Sequence, residues 1–536
     1  VPKIPVSDSL SASCLLLYLN CRNDKTAQET KVCEQPSLIY VVVLESLTRS
    51  KKQNDHPDLI QQAHSSSFAG ALQNHIYREK ASFHTPGHKG RLSFNEKRTL
   101  PLEQDLTELA GLDEWAEPSG IIADLENRAS KVWGSRSSLI SVNGASAAIK
   151  AGLWACRSHH ALNARRVIMP QNAHKSALEA AILMDLDITW ANPNWDENLG
   201  IWLDVDRAAL ASAYDEVCSS SGPSVLGDRV LVMITSPTYQ GFGSDIADLS
   251  SYCREQGLIL FVDEAHGAQI VDGGAIAAGA DLVAHSLHKV LPGLTQTGLL
   301  HIGSHCQWPE LDLECVRSSL SMFTSTSPSY LLMASIELAV RTHDQALVER
   351  LALLRARLQQ GLSHNKLIDL VAHPLCVSQA HILLAPAAGC SFSMREIQAY
   401  LEGAGIFAEA LMGAGGDLLL LMLGTGSNED DIDYLIDVLD ELDKSSSGSF
   451  SFLSSPKQRA HYPLPARRRI VRSCADAWRS PTAQIDAADA LGRTSAQLIC
   501  QCPPGIPLLV PGQIIDEEVL SKADRKQFLV VADTLE

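Results

Sequence analysis

The sequence has no CxxC pair, no apolar run long enough to cross a bilayer, few aromatic residues and too few cationic residues to balance its acidic ones. Lys and Arg number 44 against 62 Asp and Glu, a formal net charge of −18. A nucleic-acid partner is therefore not expected, because a phosphate backbone attracts Lys/Arg surfaces. The thirteen cysteines are scattered and odd in number. A disulfide framework belongs to short secreted chains, so reduced thiols in a cytoplasm fit better. Their spacing assembles no zinc site, and no metal is expected. Two apolar patches, Leu10–Leu19 and Leu38–Leu47, fall short of the roughly 20 residues of a membrane span. The first has the look of a signal core, but only Lys3 precedes it and no A-x-A site follows. A cytoplasmic protein without a membrane partner is expected, with its first forty residues peripheral.

What is present is an ordinary globular composition, 45% hydrophobic and 20% charged. The length suggests roughly three or four domains. From about residue 120 to 305, short apolar runs alternate with helical patterns. Strands are predicted at Ser138–Val142, Arg166–Met169, Ile188–Ala191, Val230–Thr235, Leu258–Asp263, Leu282–His285 and Leu299–Ile302. Segments such as Ser146–Cys156 and Ser176–Met184 carry i, i+3, i+4 apolar spacing between them. This rhythm predicts an α/β domain with a mostly parallel sheet and helices on both faces. One long helix is predicted over Ser327–Leu362, opened by Ser327-Pro328. Residues 365–443 read as a smaller α+β unit with helices at Met394–Gly403 and Glu429–Leu442, and the Ser/Gly-rich run 444–457 reads as a linker. The expected divisions are an N-terminal segment (1–80), a large α/β domain (81–340), a small α+β domain (341–450), and a linker with a C-terminal domain (451–536).

The chemistry concentrates at predicted strand ends. Ser286-Leu287-His288-Lys289 follows a buried run and enters a Gly-containing loop. A desolvated lysine has a lowered ammonium pKa and can form a Schiff base, although a single loop lysine is ordinarily just solvated. Asp263, 26 residues upstream in Val262-Asp263-Glu264-Ala265-His266-Gly267, ends an apolar strand at the edge where α/β sheets place ligands. Such a carboxylate can hold a pyridinium protonated, or can simply cap the next helix. Asn143-Gly144-Ala145-Ser146 opens a helix after a strand, which suits a phosphate, though Ser is also a routine N-cap. Ser286 and His288 could add donors. His174, after another strand, could stack on a ring or be an ordinary hydrogen-bonded histidine.

Taken in order, SFHTPGHKG (82–90), DLTELAGLDEW (105–115), NGASAA (143–148), NAHKSAL (172–178), SPTYQG (236–241), VDEAHG (262–267), HSLHK (285–289), TSPSYLLMAS (326–335) and CPPGIPLLVPG (502–512) resemble the Orn/Lys/Arg decarboxylase family of fold-type I enzymes that use pyridoxal 5'-phosphate (PLP). The resemblance implies a PLP-binding large domain, a smaller α+β domain and a C-terminal domain. It implies that Lys289 holds PLP as a Schiff base, that Asp263 pairs with the pyridine nitrogen, and that His174 and Ala265 lie on opposite ring faces. Phosphate would be bound by Ala145, Ser146, Ser286 and His288. His266 would lie near the ring hydroxyl or the substrate carboxylate. His84, His88 and Lys89 are second-tier candidates at the entrance, equally readable as a turn organised by Pro86-Gly87.

The sequence departs from the family pattern at three places. Ala145 stands where Thr or Ser is usual, Cys502 replaces a tyrosine, and Gln513 replaces an acidic residue after Pro-Gly. These changes bear on substrate preference more than on chemistry. The short N-terminal region lacks the βαβ rhythm of the receiver-like domain found in the large inducible members, so the chain resembles the family's shorter branch. The implied reaction is decarboxylation of arginine, lysine or ornithine to the amine, feeding polyamine metabolism. An aminotransferase, an aldolase or a non-catalytic relative are the alternatives. A homodimer or larger assembly is expected, its Pro/Gly-rich segments packing against a second chain.

Overall fold

In the computed structural model, the described residues are 80–84, 89, 106–109, 112–220, 229–388, 390, 392–411, 417–446, 462, 464–465, 467–501, 505–523 and 525–532. They all belong to one contact unit, Tyr77–Glu536. The apolar patches at 10–19 and 38–47, His88 and Cys502 lie outside the described residues.

The first strand, β1 (Ala81–Phe83), belongs to a second sheet. The main sheet is made from β2 (Ser137–Ser141), β3 (Arg166–Pro170), β4 (Asp187–Ala191), and, after a two-residue ribbon β5 (Trp195–Asp196) and β6 (Ile201–Trp202), β7 (Val230–Thr235), β8 (Ile259–Asp263), β9 (Leu282–Ser286) and β10 (Gly298–Ile302). Each of the seven predicted strands is found, displaced by no more than one residue at either end. Their order is β2-β10-β9-β8-β7-β3-β4. Only β10 runs antiparallel to its neighbours, so the other six strands present their carboxyl ends at one edge. Both faces are covered, which is why β8 (ILFVD) and β9 (LVAHS) are buried throughout instead of alternating.

The helix Gly144–Ser158 lies across this sheet, and its close seating depends on a missing side chain. A Cβ on Gly152 would come within 2.5 Å of the Phe261 ring on β8. Full burial of a Phe or Leu side chain contributes roughly 2–3 kcal/mol, so this close approach serves the core directly.

Where one long helix is expected over Ser327–Leu362, the chain forms two, Tyr330–Thr342 and Gln345–Gly361. Ser329 caps the first. His343 and Asp344 are extended, and the Asp344 carboxylate accepts the Leu347 N–H at 2.8 Å. An aspartate that caps a new helix competes with its own helical conformation, and here that competition breaks the run.

The second sheet has the order β1-β13-β14-β12-β11, with β11 (Ile368–Leu370), β12 (His381–Pro386), β13 (Ile406–Leu411) and β14 (Leu418–Met422). Thus residues 81–83, at the start of the region read from sequence as the large domain, pair in parallel with β13. The helix Met394–Gly403 opens with a reciprocal capping box between Ser393 and Glu396. Towards the C-terminus, β15 (Thr482–Asp486) with β18 (Gln527–Val531), and β16 (Ile499–Gln501) with β17 (Ile506–Leu509), surround a small core of Leu509, Ile515, Val519, Phe528 and Val530.

Candidate active site

The loops leaving β2, β3, β7, β8 and β9 converge on one cavity of about 460 Å³. All nine candidate residues line it: Lys289, Asp263, His174, His266, Ala145, Ser146, Ala265, Ser286 and His288. Strand topology explains the convergence, since loops at the carboxyl ends of parallel strands share one edge of the sheet. A larger hollow of about 560 Å³ lies beside β11 and β12. Asp196 accepts the N–H groups of Asn198 and Leu199, as a turn residue does, and Asp417 accepts the Met394 N–H at the start of the helix Met394–Gly403.

Lys289 is half-buried, with its amine in contact with His266 and 5.9 Å from the Tyr239 ring centroid. Burial lowers its pKa from 10.5 to about 8, against the opposing pull of Asp263. The Asp263 side chain is buried, and burial raises its pKa, while Lys289 and the Ala265 N–H, 3.1 Å from Oδ1, act the other way. His174 caps the helix Lys175–Met184 and accepts the Ser176 N–H at Nδ1. Burial, then the nearby Lys289 charge, lowers its pKa to about 4, so the ring is neutral at pH 7. His266 is likewise held neutral, its pKa well below the usual value through burial and then Lys289.

Also on the cavity wall, the helix Gly144–Ser158 begins without a side-chain cap. Its first N–H groups are therefore available to an anion. Ser286 Oγ lies 3.3 Å from His288 Nδ1 beside it. This arrangement needs glycine at 298, where a Cβ would meet the His285 carbonyl at 2.7 Å and the Ala145 nitrogen at 2.8 Å.

The major-domain profile of the Orn/Lys/Arg decarboxylases matches residues 66–389. The chain belongs to the Orn/Lys/Arg decarboxylase family. An uncharacterised protein, YaaO, of Bacillus subtilis is 28% identical over 85% of this chain and 93% of its own length. The arginine decarboxylase of Bacillus anthracis is 27% identical over 84% of this chain and 90% of its own. The lysine decarboxylase LdcF of Francisella novicida shares the fold at a TM-score of 0.63 and 17% identity, covering 84% of this chain and 78% of that one. Orn/Lys/Arg decarboxylases are PLP-dependent enzymes.

The cavity wall fits that cofactor. Asn143 Oδ1, Asn172 Oδ1 and Thr235 Oγ1 are buried there without a protein partner, a costly arrangement unless something else supplies one. The uncapped helix start offers donors for a phosphate. Lys289 and Asp263 offer an amine and a carboxylate.

Several wall residues are missing from the candidate set, although Thr238, Tyr239, Gln240 and Ile506 lie within the SPTYQG and CPPGIPLLVPG motifs. Thr238, Tyr239 and Gln240 come from the SPTYQG loop, and Thr295 and Gln296 precede β10. Ile506 enters from the C-terminal region, where the Gly505 carbonyl accepts the Lys175 N–H at 3.2 Å. The tail segment that reads as packing on a second chain thus reaches its own chain's cavity. His84 and Lys89 stand elsewhere. The Lys89 ammonium donates to the carbonyls of His84 and of Met422 on β14, and neither side chain lines the cavity. Gln513 is buried in a turn, its amide accepting the Val510 N–H and donating to the Arg468 carbonyl.

Proposed function

We propose that this family member decarboxylates a basic amino acid (arginine, lysine or ornithine) to the corresponding amine, feeding polyamine metabolism, with Lys289 as its Schiff-base lysine. The observation carrying this reading is the half-buried Lys289 amine, with a pKa near 8, sharing a cavity with the buried Asp263 one strand away. Relatives named as arginine and lysine decarboxylases support the substrate class.

Bound PLP supplies the electron sink for the electron pair left behind when carbon dioxide departs. In this reading Lys289 holds it through the amine, and Asp263 keeps its ring nitrogen protonated. With Oδ1 already accepting the Ala265 N–H, Asp263 keeps its other oxygen for that contact. His174, neutral and fixed by Ser176, gives the ring a flat partner without adding charge. Ala265 packs on the other ring face. Ala145 and Ser146 bind phosphate through backbone N–H groups, aided by Ser286 and His288. Lys289, once displaced by substrate, carries protons at its own nitrogen, and its lowered pKa allows both forms near neutral pH.

Carbon dioxide release should be measured with arginine, lysine and ornithine separately. Turnover of one of them supports the reading. Formation of a keto acid without carbon dioxide would replace it with transamination.

The working unit in this proposal is a homodimer or larger assembly, and its compartment the cytoplasm. Among the described residues no helix is long and apolar enough to cross a membrane. Cys156, Cys218, Cys253, Cys306, Cys315, Cys376 and Cys474 are free thiols. Sedimentation at assay concentration tests the dimer, and an active monomer would refute it.

A further inference from the structure

His266 touches Lys289 on one side and a chain of buried groups on the other. Its Nδ1 lies 3.0 Å from His381 Nε2, and His381 Nδ1 lies 2.7 Å from Ser378 Oγ. His381 opens β12 of the second sheet, and all three side chains are at least 95% buried. Ser378 Oγ is also approached by Gln269 Nε2 at 3.0 Å and by the Ala380 N–H at 3.3 Å. The Gln269 amide can face only this way, because the same Nε2 donates to the His266 carbonyl at 3.1 Å. It holds that orientation although its Oε1 finds no partner.

These contacts fix the direction of every hydrogen bond in the chain. A hydroxyl has two lone pairs and one proton. Ser378 Oγ spends both lone pairs on Gln269 and Ala380, so its proton goes to His381 Nδ1. Neutral His381 then carries its proton on Nε2 and donates to His266 Nδ1. Neutral His266 in turn carries its proton on Nε2 and points it at Lys289 Nζ.

We infer that Ser378 and His381 are positioning residues that hold His266 as a donor towards Lys289, and so favour Lys289 as a neutral amine. Protonated Lys289 would have to donate to His266. Every bond behind it would then reverse, and Ser378 Oγ would face three donors with two lone pairs. The second sheet thus helps set the protonation state of the reactive lysine. Other charged or titratable groups nearby are Asp263, His174, His288 and Tyr239 around Lys289. Around His381 they are Lys89 and Arg355, whose guanidinium donates to the His381 carbonyl. The direction is set at the serine, whose lone pairs are taken by Gln269 and Ala380.

The inference rests on Lys289 being the reactive amine, and the test separates the two. The full chain, stripped of cofactor with hydroxylamine, is mixed with PLP across a pH series. The initial rate of imine absorbance is followed, and the adduct is reduced with borohydride and mapped. Ser378→Ala and Gln269→Met should each raise the pH midpoint of capture by about one unit, the scale of one lost hydrogen-bond preference. Ser378→Thr should keep the original midpoint. Histidine 15N spectra should give Nε2–H tautomers for His266 and His381 in the parent and mixed tautomers in Ser378→Ala. If either variant fails to fold, the other decides.

An adduct away from Lys289 would overturn the proposed function, and this inference with it. An adduct at Lys289 with midpoints unmoved in the variants would overturn the inference alone. So would a raised midpoint with unchanged tautomers, which would mean only that water had entered.

Discussion

Glu264 Oε2 and His285 Nε2 lie 2.8 Å apart in the interior, and each residue adjoins a cavity residue in sequence, Asp263 and Ser286. The contact continues through His301 Nε2, 3.0 Å from His285 Nδ1, to Ser138 Oγ, 2.7 Å from His301 Nδ1. One buried polar line therefore runs from Glu264, just after β8, across β9 and β10 to β2. Glu264→Ala would leave His285 buried with an unmet nitrogen. We expect a loss of about 2–4 kcal/mol, read as a lower urea midpoint. An unchanged midpoint would show that the line adds nothing to stability.

Lys289→Ala should abolish turnover and the borohydride-reducible link to PLP. Peptide mapping after reduction is the measurement. A stable adduct at another lysine would mean that the reactive amine has been misassigned.

Asp263→Asn should still bind PLP but lose roughly a hundredfold or more in kcat, with little change in KM. The neutral amide fills the same space yet cannot hold a ring nitrogen protonated. Near-normal kcat would reduce Asp263 to the acceptor of the Ala265 N–H.

Position 174 separates stacking from capping. His174→Phe keeps a flat ring and loses the cap to the Ser176 N–H; His174→Ala loses both. The alanine variant should bind PLP about tenfold more weakly, and the phenylalanine variant close to normally. Equal weakening in both would assign the effect to the cap.

Capture of PLP by the cofactor-free chain should accelerate with rising pH, because the neutral amine is the nucleophile. With the Lys289 pKa lowered to about 8 by burial, the rate should rise through that value and level off above it. A midpoint near 10.5 would mean a solvated lysine.

Much of this was legible in the sequence because the cavity residues sit one to three positions beyond short apolar runs. Asp263 closes ILFVD, and Lys289 stands three residues past LVAHS. Strand periodicity and strand-end chemistry are local properties. Ser378 and His381 gave no such signal. A serine three residues before a histidine means nothing until the second sheet brings His381 against His266, 115 residues away in sequence. The break at His343-Asp344 was hidden for the opposite reason. Apolar spacing runs through it, and only the Asp344 cap betrays a new helix. Membership of β1 in the second sheet depends on pairing with β13, some 325 residues later, which no local pattern encodes.

The presence of Ile506 on the cavity wall has a consequence for how the protein is made. A ribosome releases the chain from the N-terminus onward, at about 5–20 residues per second. Asn143, on the same wall, would emerge long before Ile506, which follows it by 363 positions. Until then the nascent sheet has its lysine and its carboxylate but lacks one wall. Emergence of Ile506 therefore closes the pocket, and a chain stopped soon after β14 would carry an open one.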